Sequence, residues 1–242
     1  MSAVLLIARR ELAGYLKTMS GYVIIAAVLA ITGLLFNVQA MEPNKVTKSA
    51  EVISQFFYFM SGTTMIASVF ISMRLLAEER QSGTLALLYS SPVRDYEIVL
   101  GKFLSALAFL AVMIGVSVFL PALVGVNGKL SVGQVAAGYL GLLLLGSACL
   151  AIGTFGSALA RNQVVAAIGG GCILVAMVVA WLVSKVAEAP LKELFGALSL
   201  WQRHFPPFQA GVVHLRDVVY YGVVTYVFLF ASTRVLEARR WR

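Results

Sequence analysis

Charge is scarce in this sequence: Asp, Glu, Lys and Arg make up 12% of its 242 residues, about half the roughly 25% of a soluble domain. A water-soluble globule of this length could not cover its surface with so few charges. Disordered, collagen-like and coiled-coil classes fall on the same ground, because each requires a polar or strictly periodic composition. No Asp, Glu, Lys or Arg interrupts the six long apolar stretches. Proton relays, ion-coupled carriers and intramembrane metalloproteases therefore lack the buried ionisable groups their chemistry needs. The sequence has no Gly-x-x-x-x-Gly-Lys-Ser/Thr loop, the common phosphate cradle of nucleotide-binding chains. Histidine is limited to His204 and His214, unaccompanied by a Cys or acidic cluster, which falls short of the three or four ligands of a metal site. The two cysteines, Cys149 and Cys172, lie in apolar stretches, where cysteine serves as a small buried hydrophobe.

What the sequence has in abundance is apolar length. Hydrophobic residues make up 60% of it, and they gather into stretches at Gly21–Val38, Phe56–Met73, Phe103–Val126, Val135–Ala160, Val164–Val183 and Val218–Thr233. An 18-residue helix covers roughly 27 Å, close to a hydrocarbon core of about 30 Å. The expected fold is an all-α integral membrane protein with six transmembrane helices, forming a single domain over residues 1–242. The last stretch is the shortest, and Tyr220 and Tyr221 near its start suit an interfacial aromatic belt. An even number of spans places both termini on one side.

The net charge of +8 is read as membrane orientation, because no basic patch interleaves with aromatics and nucleic acid is excluded as a partner. With the termini inside, inner segments hold twelve Lys and Arg (9, 10, 17, 74, 80, 94, 102, 161, 234, 239, 240 and 242) and outer segments seven. That sign favours cytoplasmic termini. Val38-Gln39-Ala40 has the spacing of a signal cleavage site, but the preceding run is long for a signal and is retained as the first span. Residues Ala3–Lys17 set Leu5, Leu6, Leu12 and Leu16 against Arg9, Arg10 and Lys17, the pattern of an interfacial helix within residues 1–20.

Within the spans the polar groups are hydroxyls. Ser61, Thr64, Ser68 and Ser72 on the second span either pack helices together or line a lightly polar translocation path. Small residues at four-residue intervals (Gly133, Ala137, Gly141; Cys149, Gly153, Ser157) permit close helix contact, and Gly169-Gly170-Gly171 is a hinge or a tight crossing. The outer segment 184–217 carries Leu191, Leu194, Phe195 and Leu198 at helical spacing. Pro206-Pro207 then breaks the chain before Phe208–Leu215. Two short amphipathic helices on the outer leaflet, or a small cap, satisfy this pattern.

Residues 77–93, between the second and third spans, begin polar and become apolar where water should face them. Gly83 permits a sharp turn, Thr84 can cap a short helix, and Pro92 stops it. Asp95 can cap the helix that follows. Leu85, Leu87, Leu88 and Tyr89 are then displayed on the short helix. Such a helix either inserts into a groove of a soluble partner or rests on the inner leaflet.

This segment also carries a resemblance. Glu79-Arg80-Gln81-Ser82-Gly83-Thr84-Leu85, Leu88, Ser91-Pro92-Val93 and Gly101-Lys102 resemble the permeases of the second class of ABC exporters. Arg10-Glu11-Leu12 with Tyr15-Leu16, the Phe205-to-Asp217 stretch, and Leu236-Glu237-Ala238-Arg239-Arg240-Trp241 extend the likeness towards the gliding-motility and nitrous-oxide-reductase-maturation branch. The resemblance implies a membrane subunit with no enzymatic site of its own and no cofactor. ATP and Mg would be bound by a separate ATPase, in two copies, with a second permease chain completing a homodimer in the bacterial cytoplasmic membrane. It further implies that residues 77–93 are a cytoplasmic coupling helix. Gly83 and Thr84 would form its turn and cap, Leu85, Leu87, Leu88 and Tyr89 its docking face, and Pro92 its end. Glu78, Glu79 and Arg80 would lie near the ATPase surface or bind the interfacial helix. The branch sometimes works with a membrane protein bearing a large periplasmic domain. Other readings are an anchor recruiting an ATPase to drive a periplasmic machine without flux, a lipid-modifying enzyme, and a stand-alone channel.

Overall fold

The computed structural model describes residues 3–40, 49–84, 93–127 and 131–240. Among them the ordered elements are all helices: α1 (Ala3–Lys17), α2 (Met19–Ala40), α3 (Ser49–Ser72), α4 (Ala77–Gln81), α5 (Asp95–Val116), α6 (Phe119–Asn127), α7 (Val132–Leu159), α8 (Gln163–Val186), α9 (Leu191–Leu198), α10 (Pro206–Gln209) and α11 (Leu215–Arg240). Six helical stretches are long and apolar enough to cross a membrane, and the protein is an all-α integral membrane protein.

The helices outrun the apolar stretches that mark them. α3 begins seven residues before Phe56, with Glu51 in its first turn, where a carboxylate complements the helix dipole. α11 has 26 residues; its last turns carry the Arg234–Glu237 pair at 2.9 Å, so only its apolar part is short. The third stretch is two helices. Pro121 lacks an N–H and its ring opposes the carbonyl four residues back, so α5 ends at Val116 and α6 starts at Phe119. Its first helix starts at Asp95, and the cap position belongs to Arg94 rather than to Asp95, with the Glu97 carboxylate accepting from the Arg94 N–H at 3.0 Å.

α7 is the central post. Its apolar window and that of α3 are 61% buried, against 22% or less for α2, α8 and α11, which leaves those three at the outside of the bundle. Glycines let neighbours reach the α7 backbone: Gly138 faces the Phe57 ring, Gly146 faces Leu110, Gly153 faces Ser72, and Gly156 faces Gly170 of α8. Gly141 receives Phe208 of α10, whose Cβ lies 2.6 Å from where a methyl would stand. Both chain ends gather at one end of the bundle. There α1 crosses α5 at Gly101, against Val4 and Ile7, and Arg239 of α11 donates to the Leu159 carbonyl at 2.8 Å.

At the opposite end, segment 187–214 folds into the bundle. Leu200, Phe205 and Phe208 are fully buried. Trp201 Nε1 donates to Ser61 Oγ at 2.9 Å, twelve residues into α3, roughly 18 Å along its axis. The prolines start α10 instead of breaking a helix ahead of one: they occupy its first two positions, where a fixed φ and a missing N–H cost nothing. Residues 210–214 are turn and coil, with Gly211 at φ 85°.

Candidate coupling site

The helix α4 is short and charged, and three neighbours fasten it. The α3 helix stops at Ser72, and the chain turns through 73–76 before α4 begins. That break frees backbone N–H groups, and Ser157 of α7 takes up two of them: its Oγ accepts from Leu76 N at 3.0 Å and Ala77 N at 2.9 Å. Ser157 in turn donates to the Met73 carbonyl at 3.2 Å. Arg80 reaches the carbonyls that end α7, Ala158 at 3.4 Å and Ala160 more closely. A cation at a helix C-terminus meets the negative end of its dipole. Gly83, at φ 75°, turns the chain away; its N–H returns to the Arg80 carbonyl at 3.3 Å. The Thr84 hydroxyl lies 2.9 Å from Ser82 Oγ.

Glu79 points the other way, into a buried ion cluster. The Lys102 ammonium, 2% exposed, stands 2.8 Å from Glu79 Oε1 and 3.3 Å from Glu11 Oε1 of α1. Arg10 donates to Glu11 at 2.9 Å and lies 3.9 Å from Glu79. Two carboxylates and two cations balance. Burial pushes the Glu11 carboxyl up, but Lys102 and Arg10 outweigh it and hold its pKa below the ordinary value. Beside this cluster, Arg74 grips both oxygens of Glu78 at 2.8 and 3.1 Å. The space between α1 and α4 is a cavity of 180 Å³ bordered by Tyr15, Arg74, Glu78 and Lys102.

Glu78, Glu79 and Arg80 are thus engaged with Arg74, with Lys102 and α1, and with α7. Lys102, Glu11 and Ser157 complete the assembly. Residue spacing could not bring together groups that lie 23 to 91 positions apart in the chain. Leu85, Leu87, Leu88, Tyr89 and Pro92 lie outside the described residues.

The hydroxyls of α3 are packed away. Ser61, Thr64, Ser68 and Ser72 share the face of α3 turned to α7 and are each at most 1% exposed. Ser61 donates to the Tyr58 carbonyl at 2.6 Å, Ser68 to Thr64 at 2.7 Å and Ser72 to Val69 at 3.1 Å. Thr63, on the adjoining face, borders an apolar groove of 300 Å³ between α2 and α3.

A second polar cluster closes the opposite end. Buried His204 meets buried Asp217 at 2.7 Å and stacks on the Tyr220 ring at 3.8 Å, fastening segment 187–214 to α11. The sequence suggests a structural or solvent-exposed histidine rather than a metal ligand, and the fold buries it. Arg216 and Arg203 are the nearby cations. Burial pushes the His204 pKa below its ordinary 6.5, against the pull of Asp217 and with help from Arg216 and Arg203. When this segment detaches, the imidazole regains its ordinary affinity for protons. Stability therefore falls as pH drops through about 6.5 towards the lower packed-state value, because the detached state binds more protons there. Limited proteolysis of 187–214 should be faster at pH 5.5 than at pH 7.5, and His204→Gln should flatten the difference. Equal protection of the wild type at both pH values would refute this.

The fold thus combines six spans, a short charged helix braced across α1, α5 and α7, and no cluster of metal-binding residues among those described. A search of curated proteins finds no match to the chain. Residues 12–234 match the family described as ABC-2 family transporter protein, which covers most of the sequence; the chain belongs to that family, as a transporter membrane subunit.

Proposed function

We propose that the chain is the permease of an ATP-driven exporter, and that residues 77–93 receive the force generated by a separate ATPase. The observation that carries this reading is the three-way bracing of α4. A push on the turn at Gly83 is delivered through Glu79–Lys102 to α1 and α5, and through Arg80 and Ser157 to the end of α7. A loop without such a brace would absorb the motion instead.

In this reading Leu85, Leu87, Leu88 and Tyr89 enter a groove on the ATPase, and Pro92 ends the inserted helix. The partner binds ATP and Mg. Two ATPase copies serve two permease chains in the bacterial cytoplasmic membrane, with both termini cytoplasmic, and the resemblance favours the gliding-motility and nitrous-oxide-reductase-maturation branch. A further membrane protein with a large periplasmic domain would supply the outer machinery that the short outer segments lack. Ser61, Thr64, Ser68 and Ser72 are held between α3 and α7 in this state, so a path lined by them opens only when those helices part.

The test is Leu87→Asp with Leu88→Asp in the assembled complex. Stimulated ATP hydrolysis should fall at least about ten-fold, the effect of roughly 1.4 kcal/mol at the interface, while the permease remains folded. Full coupled turnover by this variant would refute the assignment. Stimulated hydrolysis without flux in the wild type would favour the anchor reading.

A further inference from the structure

At the end of the bundle away from the termini, a cavity of 550 Å³ lies between the last turn of α8 and α9. Lys185, Lys192 and Arg203 border it, against the single carboxylate of Glu193. Among the described residues, none of these three cations is within ion-pair distance of a carboxylate. Lys185 Nζ rests 4.2 Å above the Trp181 ring, on the same wall. Arg203 lies across Gly196, with Nη1 3.1 Å from where a methyl there would stand. A side chain at that position would crowd the guanidinium, so a bare backbone seats it.

The fourth feature is Ser199. It is fully buried, borders the same cavity, and its hydroxyl has no hydrogen-bond partner. A buried hydroxyl without a partner is costly, and this residue belongs to the lining of a space bordered by cations. Three positive groups and one idle donor suit an anion with several acceptor oxygens. The planar guanidinium of Arg203 matches phosphate geometry in particular. The stacking of Lys185 on Trp181 is the arrangement that side chains adopt at a membrane interface. On the other side of α9 lies an apolar cavity of 650 Å³ between α8 and α11, bordered by Ile173, Phe195, Leu198, Val223 and Phe228.

We propose that the cavity under Lys185, Lys192, Arg203 and Ser199 binds the phosphate group of an anionic ligand. The largely unburied apolar surface of α8 and the neighbouring apolar cavity make an anionic phospholipid head group one source, and a free phosphate ester is the other. Both present the same phosphate to the same donors. Binding here is independent of the coupling role and is read without ATP or the ATPase.

Native mass spectrometry of the full chain released from detergent tests the proposal with three probes: phosphatidylglycerol, phosphatidylcholine and soluble glycerol phosphate. The wild type should retain phosphatidylglycerol about ten-fold better than phosphatidylcholine, whose trimethylammonium is repelled by the same cations that bind its phosphate. Lys185→Gln with Arg203→Gln should erase that preference. If glycerol phosphate displaces the lipid, the phosphate alone suffices and the free ester is a ligand; if it does not, the acyl chain is required and the lipid is the ligand. Ser199→Ala separates binding from folding. Losing an unpartnered buried hydroxyl should leave the melting temperature of the ligand-free protein unchanged or raise it, yet weaken phosphatidylglycerol binding about five-fold. Wild-type lipid preference in both variants, or no binding of either anionic probe to the wild type, would overturn the site.

Discussion

Lys102→Met should lower the stability of the protein by about 3–5 kcal/mol, the usual cost of removing one partner from a buried ion pair, and abolish stimulation of the ATPase. The ammonium is 2% exposed and contacts two carboxylates. Glu79 already has one buried oxygen without a partner. With Lys102 gone, its nearest remaining cation is Arg10 at 3.9 Å, a side chain 66% exposed to solvent. Glu79 must then take up a proton or swing α4 towards water, and either response releases the brace. The double variant Glu79→Gln with Lys102→Met separates structure from force transmission. Removing both charges relieves the desolvation penalty and should recover most of the melting temperature. If the pair conducts force, stimulated hydrolysis stays low in the double variant; if it only stabilises, hydrolysis returns with stability. Thermal unfolding in nanodiscs and ATPase assays of the reconstituted complex measure both, and an unchanged melting temperature for Lys102→Met would exclude a structural role for the cluster.

The same cluster shows what sequence reading could and could not reach. Hydropathy alone located the six spans, because burying long apolar stretches in lipid dominates every other local preference. Helix ends were less legible. α3 and α11 run on through Glu51 and Arg234, residues that end an apolar stretch but not a helix. Lys102 stands one residue before the apolar stretch that begins at Phe103 and so resembles a solvated flank. Its burial depends on α1 lying across α5, where Gly101 admits Ile7. Glu11, Glu79 and Lys102 share no periodicity, and only their appearance within three separate stretches of family resemblance marked them. His204 was hidden for a related reason: its partner Asp217 belongs to the next helix. Phe208 was expected in a short helix on the outer leaflet or in a small cap, yet Gly141 opens a seat for it on α7. Small-residue spacing pointed correctly to α7 as a close-packed helix but not to which glycines matter, since a methyl on Gly133 would meet nothing within 4 Å among the described residues.

That distinction yields the second large effect, at Gly156. A methyl there would stand 2.6 Å from Gly170 N, 2.7 Å from Gly170 Cα and 3.1 Å from the Ala166 carbonyl oxygen. All three obstacles are backbone, so no rotamer change relieves the clash, and α7 must move away from α8. Gly156→Ala should therefore destabilise by about 1–3 kcal/mol, as overpacking does, and Gly156→Leu should prevent folding. Gly169→Ala and Gly171→Ala are the controls, because a methyl at either meets nothing within 4 Å among the described residues. Each should be neutral or stabilising by up to about 1 kcal/mol through helix propensity. A hinge spread over all three glycines predicts instead that every one of these alanines impairs turnover. If α4 transmits force as proposed, the position of Gly156 should make stimulated hydrolysis more sensitive than folding. One residue on is Ser157, which holds the start of α4, and the next turn ends at Ala160, which receives Arg80. Ala77 of α4, Ala160 and Ala166 of α8 also pack together. Parting α7 from α8 by a fraction of an ångström pulls directly on this junction. Gly156→Ala should thus lose most stimulated ATP hydrolysis at temperatures where its circular dichroism is still that of the folded protein. Full stimulation in a Gly156→Ala protein with a lowered melting temperature would mean that α4 is coupled to the bundle through Lys102 alone.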